Sequence, residues 1–258
     1  MSSLVADPTP PPNSAEAIAA RVRAGRITAS AIIVVSFARL FLAVLAQTAT
    51  AGVLHLRGVE RPFVAAADWF TVHGTLVDLG SMVLLAVLLR REGLRLRDLF
   101  RARRGPSLGR TLLQVPLVLM LLGSVGFSTA AAVGMLAYGT PLPPPPVVPL
   151  PLWAGLYSVL VWPLLWGFVE EATYNGYAAP RALTLPHGRL LLAVVCLGWA
   201  AQHLALPLRF DVAFLALRFL LAVAVVAVAL YLRTRNLLPL ALAHWLIDAA
   251  TGALTLAP

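Results

Sequence analysis

Apolar runs long enough to cross a lipid bilayer recur from residue 28 to the C-terminal end of this 258-residue chain. A helix needs about 20 predominantly apolar residues to span the hydrocarbon core of a bilayer. Apolar residues make up 60% of the chain and charged residues only 12%, about half the charged share of a soluble domain. Strand-length alternation is absent, which argues against an outer-membrane barrel. The sequence therefore predicts an all-α, polytopic transmembrane helical bundle.

The lengths of the apolar runs predict about seven spans. The segment 1–27 before them begins rich in Pro and Ser, which predicts disorder, and continues as a short amphipathic stretch with three Arg residues. Residues 15–27 can instead form an extra surface helix, which changes the helix count by one. The expected spans are approximately 28–54, 69–89, 110–138, 152–178, 190–207, 210–232 and 237–256.

Two loops divide the chain into regions. In the N-terminal helical region, 28–138, Arg alternates with Leu at roughly helical spacing over residues 90–105, which predicts an interfacial helix. Residues 139–151 are uncharged and rich in Pro, which predicts an extended connector. Residues 152–258 form the C-terminal region, where the chemically informative residues lie.

The basic residues give the expected orientation. All 20 are Arg, and the net charge is +9. Seven spans place the N-terminal Arg residues and the segments 90–110, 181–189 and 233–235 on one side. The positive-inside rule makes that side cytoplasmic, with the N-terminus inside and the C-terminus outside a cell membrane. Small size and an Arg/Ala/Leu bias point to a bacterial inner membrane.

The same charge bears on partners. Arg clusters at the membrane surface attract anionic lipid. No soluble basic domain is present to offer a nucleic-acid footprint, so we expect no nucleic-acid partner. Cys196 is the only cysteine and therefore cannot form an internal disulfide.

Ionisable residues in three late spans predict a polar site inside the membrane. Glu170 and Glu171 are adjacent in an apolar run, and His203 and His244 lie in two later runs. Such residues are costly at bilayer depth and normally face a wet cavity or a partner. At 1.5 Å per helical residue, Glu170, His203 and His244 lie about 13–21 Å along their helices from the nearest cytoplasmic Arg residues. One layer near the middle of the membrane can therefore hold all three side chains. The two glutamates point about 100° apart, so one should face the cavity while the other takes a structural partner.

Neighbouring residues refine this expectation. Asp248 follows His244 by four residues, so its carboxylate can accept a hydrogen bond from one ring nitrogen and fix the tautomer. Trp199 precedes His203 by four residues and would line the same helix face. A single intramembrane His is more often a packing residue than a catalyst, but several ionisable groups at one depth reverse that expectation.

Three motifs carry a family resemblance. The chain shows EEATYN at Glu170–Asn175, WAAQH at Trp199–His203 and HWLID at His244–Asp248. Their order and spacing resemble the CPBP family of intramembrane proteases, which includes type II CAAX prenyl proteases and bacteriocin-processing or immunity (Abi) proteins. That family carries EExxxR, FxxxH and HxxxN. The resemblance covers roughly residues 150–256.

The resemblance implies an activity and a set of site residues. It implies intramembrane peptide hydrolysis, in which Glu170 activates water, His203 and His244 stand in the site, and Glu171 accompanies them. Asp248 would orient a His or lie on the oxyanion side, in the place of the family's Asn. The substrate would be a membrane-associated protein or peptide.

Two departures from the family pattern matter most. Asn175 replaces the Arg of EExxxR, and Asp248 replaces the Asn of HxxxN. The first leaves Glu171 without its usual helical partner, and we hypothesise that Arg218 or Arg39 pairs with it from a neighbouring span. Because of these departures, an inactive immunity or scaffolding protein is one alternative. A small proton-coupled transporter is another, although no inverted repeat supports it.

A metal is a further open question for the sequence. Glu170, His203 and His244 are the ligand types of a three-ligand zinc site with an open water position. The chain has no HExxH motif, and a carboxylate alone can act as a base toward water. The sequence thus leaves two mechanisms open, one in which a glutamate alone activates water and one that uses zinc or another divalent metal.

Overall fold

The computed structural model describes residues 10–100, 107–141, 148–206, 208, 210–233 and 237–256. Within these residues the chain is helical and contains no strand, so the predicted all-α bundle is confirmed. Six of the described helical stretches are long and apolar enough to cross a membrane. The chain is therefore a multi-pass membrane protein.

The helices follow the expected order along the chain. Their bounds are α1 Ala15–Arg23, α2 Ala29–Leu56, α3 Pro62–Asp68, α4 Phe70–Arg91, α5 Leu108–Tyr138, α6 Leu152–Leu160, α7 Trp162–Glu171, α8 Ala179–Thr184, α9 Gly188–Ala205, α10 Val212–Arg233 and α11 Leu238–Ala253. Single turns of 3-10 helix occupy Leu96–Leu99 and Leu254–Leu256, and a π-helix, Ala172–Ala178, joins α7 to α8.

Local sequence explains several helix ends. The hydroxyls of Ser14, Thr28 and Ser107 accept backbone N–H bonds at the starts of α1, α2 and α5. Gly139 has φ 72° and ends α5 in the left-handed conformation that glycine adopts without strain. These polar caps lie where apolar runs begin, so the expected span boundaries are close to the observed ones.

Two spans differ from their expected lengths. The fourth was expected to end at residue 178, but the helical path continues through the π-helix to Thr184. The seventh, expected over 237–256, is the 16-residue helix α11 followed by one 3-10 turn, and α11 alone is shorter than each of the six stretches that are long enough to span a membrane.

The spanning helices form a closed ring. Going around it, α2 packs against α4, α4 against α7, α7 against α11, α11 against α5, α5 against α10, α10 against α9, and α9 against α2. The ring brings α7, α9 and α11, which come from three separate parts of the chain, around one interior. These helices carry the ionisable residues that the sequence singled out.

The predicted interfacial helix over 90–105 is wrong in the part that the structure describes. Gly93 has φ 75° and ends α4, and the only helical turn that follows is the 3-10 turn Leu96–Leu99. Asp98 in this turn is buried, so the segment packs into the bundle rather than lying on its surface. Residues 101–106 lie outside the described residues.

Other expectations fall partly on residues that are not described. The expected N-terminal disorder concerns mainly residues 1–9, and the Pro-rich connector mainly 142–147. The amphipathic stretch within 15–27 is helix α1. The division of the chain into functional regions stays a prediction.

Arg181 is not in a polar turn, as the sequence suggested, but is fully buried. Its Nε and Nη2 donate to the two carboxylate oxygens of Glu92 at 2.8 and 2.7 Å, and its Nη1 donates to Asn13 Oδ1 at 3.0 Å. Arg21 Nε donates to the same carboxylate at 3.0 Å. A two-point Arg–carboxylate pair makes burial of this charge tolerable. The cluster ties the N-terminal segment to α4 and α8.

Very close helix contacts lead to a first prediction. A Cβ added at Gly198 would lie 2.3 Å from the Ser36 carbonyl oxygen, because α9 and α2 approach to backbone contact there. Gly198→Ala should therefore force these helices apart and lower stability by about 1–3 kcal/mol or more. The measurement is denaturation of the detergent-solubilised protein. Gly52→Ala is the matched control, since nothing lies within 4 Å of its Cβ, and equal effects of the two changes would contradict the prediction.

Candidate active site

A cavity of about 520 Å³ lies inside the bundle, between α5, α7, α9, α10 and α11. Most of its wall is apolar, with polar groups gathered at one place. It continues toward the end of the bundle that carries Asp68 and Thr255, which is the outer side in the expected orientation. The sequence-predicted residues that line this one cavity are Glu170, Glu171, Trp199, His203, Arg218, His244 and Asp248.

Glu170 lies at the polar centre of the cavity wall and has no side-chain exposure. Its Oε1 accepts hydrogen bonds from Trp199 Nε1 and from Gln202 Nε2, the latter at 2.5 Å. Its Oε2 is buried and has no hydrogen bond from any described residue. The two bonds fix the carboxylate and leave one oxygen available to a molecule in the cavity.

The two histidines present the same nitrogen to Glu170. His203 Nδ1 lies 2.9 Å from the Trp199 carbonyl oxygen, which can only accept, so Nδ1 carries the hydrogen. His203 Nε2 then faces Glu170 Oε1 at 3.9 Å. His244 Nε2 lies 3.9 Å from Glu170 Oε2. These separations are too long for direct hydrogen bonds, but one water can bond to both atoms of either pair.

Glu171 has partners that the sequence hypothesis did not include. Its Oε2 accepts from Asn175 Nδ2 at 2.6 Å, and its Oε1 lies 2.9 Å from His244 Nδ1. The hypothesis that Arg39 or Arg218 pairs with Glu171 is therefore wrong. Asn175 stands one helical turn after Glu171, where the family's Arg stands, and its shorter amide reaches the carboxylate because both side chains are enclosed in the bundle.

Asp248 occupies a different position from the one expected. Its Oδ2 lies 3.5 Å from His244 Nε2 and has no hydrogen bond from any described residue. The expected bond that would fix the His244 tautomer is made instead by Glu171, on the opposite ring nitrogen. Asp248 Oδ2 and Glu170 Oε2 thus lie near the same ring nitrogen of His244.

A π-helix follows the glutamate pair directly and covers Ala172–Ala178. Pro180 has no N–H to offer the carbonyl of Gly176, one turn earlier, so that carbonyl lacks its α-helical donor. Asn13 Nδ2 supplies the missing bond at 2.9 Å. Turns of this kind occur often at functional sites, since the wide turn changes which side chains share a face.

The sequence analysis missed Gln202 and misjudged Arg39. Arg39 Nε donates to Gln202 Oε1 at 2.8 Å, and Arg39 Nη1 donates to Asp78 Oδ1 at 2.9 Å. Because Arg39 donates to the Oε1 of Gln202, the Nε2 of Gln202 must point at Glu170. An amide inside a transmembrane run was the signal that could have identified Gln202. His73 is also buried and has no hydrogen bond from any described residue.

Metal binding at this site depends on how the donor atoms of Glu170, His203 and His244 are arranged. Glu170 Oε2 and the two Nε2 atoms have the chemistry of zinc ligands, and both histidines are held through Nδ1 as ligating histidines commonly are. Across the described residues, however, no group of three or more His, Cys, Asp or Glu side chains is arranged to hold a metal ion. The arrangement as it stands therefore does not fit a metal.

Comparison with protein families bears on the same part of the chain. Residues 151–250 match the family model described as type II CAAX prenyl endopeptidase Rce1-like. The resemblance seen in the sequence motifs is thereby confirmed for this segment. No curated protein and no solved structure gave a significant match.

The Rce1-like segment contains the residues that meet in the cavity. It includes α7, α9 and α11, and it leaves out α2 and α4, which supply Arg39 and Asp78. The match is thus a similarity to a family described as prenyl endopeptidases, over the segment that supplies Glu170, His203 and His244.

Proposed function

We propose that this chain is an intramembrane endopeptidase that hydrolyses a peptide bond of a membrane-associated protein or peptide with water activated by Glu170. The observation that carries the proposal is the free Oε2 of Glu170. This buried carboxylate oxygen faces the Nε2 of His244 across 3.9 Å, and the Nε2 of His203 lies 3.9 Å from the other oxygen, Oε1. A base held in place with one unused lone-pair direction is what water activation requires.

The reaction follows from these positions. A water between Glu170 and the histidines gives a proton to Glu170 Oε2, and its oxygen bonds to the carbonyl carbon of the substrate. The negative charge that develops on the carbonyl oxygen is stabilised by His244 in its charged form, in which Nε2 also carries a hydrogen and can donate it, while the neutral Nε2 of His203 accepts a hydrogen bond from the water. The proton passes from Glu170 to the departing amine as the C–N bond breaks, which regenerates the carboxylate.

The remaining polar residues hold these groups in position. Glu171, bonded to Asn175, accepts from Nδ1 of His244 and keeps its Nε2 directed at the water. Asp248, beside that Nε2, favours the charged form of the imidazole when a proton arrives. Trp199 and Gln202 keep the carboxylate of Glu170 from rotating.

The surroundings fit a substrate held in a membrane. The cavity wall beyond the polar groups is mainly apolar, which suits a hydrophobic peptide segment. We propose a multi-pass protein of the bacterial inner membrane, with the Arg-rich N-terminal side in the cytoplasm against anionic lipid. Nucleic acid has no part in this function.

We propose a glutamate mechanism without a resident metal, since the donors are not arranged around one. The alternative of zinc or another divalent metal held by Glu170, His203 and His244 is decided by metal analysis of the purified protein. One equivalent of tightly bound zinc, lost together with activity on chelation, would replace the glutamate mechanism by a metal-assisted one.

Substrate trapping tests the proposed function. In Glu170→Gln the amide cannot take a proton from water, so bound substrate should remain intact and co-purify. Peptides enriched on this variant are identified by mass spectrometry and then offered to the wild-type protein in liposomes. We expect cleavage within or beside an apolar segment. Glu60→Gln, at an exposed loop position, is the matched control and should not enrich them. Intact peptides after incubation with the wild type would favour a non-catalytic membrane protein.

A further inference from the structure

Arg218 is a cation inside the same cavity that forms no ion pair within 4 Å with a carboxylate of the described residues, while Glu170 and Asp248 act on its charge from a greater distance. It lies on α10, lines the cavity and is half-buried. Its Nε is buried without a hydrogen bond to any described residue, and its guanidinium lies 5.1 Å from the centre of the Phe214 ring. An unpaired cation inside a membrane protein is costly unless a bound group supplies the opposite charge.

The two fully buried arginines of the described residues, Arg39 and Arg181, behave differently. Arg39 lies 2.9 Å from Asp78, and Arg181 lies 2.7 Å from Glu92. The fold thus provides a carboxylate wherever an Arg is enclosed for structural reasons. Glu170 and Asp248 line the same cavity as Arg218, yet neither forms an ion pair with it in the described part of the chain. The position of Arg218 therefore points to a ligand rather than to packing.

We propose that Arg218 binds a carboxylate of the peptide substrate, which fixes the direction of the peptide relative to Glu170. This inference rests on the proposed peptidase function. A guanidinium can donate two parallel hydrogen bonds to a carboxylate, and its Nε is one of the donors that this geometry uses. A singly charged carboxylate also suits the site better than a doubly charged phosphate, because Glu170 and Asp248 repel anions in the same space.

The carboxylate has two sources, the C-terminus of a peptide or an acidic side chain. The apolar wall around Arg218, which includes Leu221 and Val225, suits a short hydrophobic peptide whose charge is confined to one end. We therefore choose the C-terminal carboxylate as the first test and an acidic side chain as the second. Both sources present a carboxylate to Arg218. They differ in the change to the peptide that removes binding, which is amidation for the C-terminus and replacement of Glu by Gln for the side chain.

The experiment measures binding, so it does not depend on turnover. The protein carries Glu170→Gln, and the probe is N-acetyl-Ala-Leu-Leu with a free C-terminus, compared by calorimetry in detergent with the same peptide amidated. We expect the free acid to bind about tenfold more tightly. Adding Arg218→Gln should abolish this preference, and Arg218→Lys, which keeps the charge but not the planar fork, should retain part of it. Arg57→Gln, an exposed Arg outside the cavity, is the matched control.

A second pair of probes covers the other source. N-acetyl-Glu-Leu-Leu amide is compared with N-acetyl-Gln-Leu-Leu amide, and a preference for Glu that Arg218→Gln removes would assign the subsite to an acidic side chain. Two results overturn the proposal: no preference for either carboxylate in the Glu170→Gln protein that keeps Arg218, or a preference that survives Arg218→Gln. If Arg218→Gln does not fold, the Arg218→Lys variant decides. The quantity compared is the ratio of the affinities for the carboxylate peptide and its uncharged counterpart, and a ratio equal to that of the protein with Arg218 counts against the proposal.

The subsite and the peptidase function can fail separately. Carboxylate binding that depends on Arg218, found together with no hydrolysis of any trapped peptide, leaves the subsite in place and removes the enzyme. Hydrolysis that is equally fast for acid and amide forms of a substrate keeps the enzyme and removes the subsite.

Discussion

Glu170→Gln is expected to lower the rate of peptide hydrolysis on the order of 10²- to 10⁴-fold, the range typical of a lost general base. The amide keeps the size of the carboxylate, and its oxygen can still accept from Trp199 and Gln202. The free oxygen that takes the proton is replaced by an amide nitrogen. Single-turnover cleavage of a trapped peptide in liposomes is the measurement. The loss should appear in kcat with little change in KM, since substrate contacts are kept.

Two comparisons make this result specific. Glu60→Gln, in an exposed loop, should cleave like the wild type. The melting temperature of Glu170→Gln should remain close to that of the wild type, because neither hydrogen bond to Oε1 is lost. Activity within tenfold of the wild type would remove Glu170 from the chemistry and with it the proposed mechanism.

Arg39→Ala should be the most destabilising change and should also lower activity. It leaves the Asp78 carboxylate buried without its partner, and breaking such a pair costs about 3–5 kcal/mol. It also frees the Gln202 oxygen, so the amide can turn and withdraw its N–H from Glu170. The measurements are denaturation in detergent and kcat in liposomes.

A double variant separates the two effects of Arg39. Arg39→Met combined with Asp78→Leu removes both charges, so stability should recover most of what Arg39→Ala loses. Activity should stay low, because Gln202 still lacks the donor that orients it. Gln202→Leu alone should lower kcat without the large loss of stability. Recovery of full activity in the charge-free double variant would show that Arg39 acts on stability alone.

Much of the fold was visible in the sequence because the bilayer sets helix length. Apolar runs located the spans within a few residues, and three separate spans placed Glu170, His203 and His244 at similar depth. The structure brings these three side chains to one cavity. That they carry out catalysis stays a prediction, together with the roles of Glu171 and Asp248.

The long-range partners of these residues could not be predicted from the sequence. Glu171 binds Asn175 and His244, whereas sequence reasoning assigned it an Arg. The i,i+4 spacing of Asn175 was available in the sequence, but the approach of His244 from another helix was not. Arg181 was placed in the polar segment 181–189, and its partner Glu92 could not be predicted because it lies 89 residues earlier. Long-range pairs of this kind depend on how helices pack around the ring.

Expectations from local periodicity failed where a glycine intervened. The Arg/Leu pattern of 90–105 has helical spacing, but Gly93 ends α4 and the next residues turn into the bundle. The side chain of Leu99 is then buried in the core, and no apolar face remains to lie on lipid over these residues. Spacing alone does not distinguish an amphipathic surface helix from a buried turn.

The shortness of α11 has a consequence for the surrounding lipid. Its 16 residues give a helix of about 24 Å, less than the roughly 30 Å hydrocarbon thickness of a typical bilayer. The 3-10 turn Leu254–Leu256 adds about 6 Å, so only the helix and the turn together match that thickness. Thr255 in this turn lines the same cavity as His244 and Asp248. Acyl-chain length, by straining or relaxing this turn, should therefore change how readily water enters the cavity.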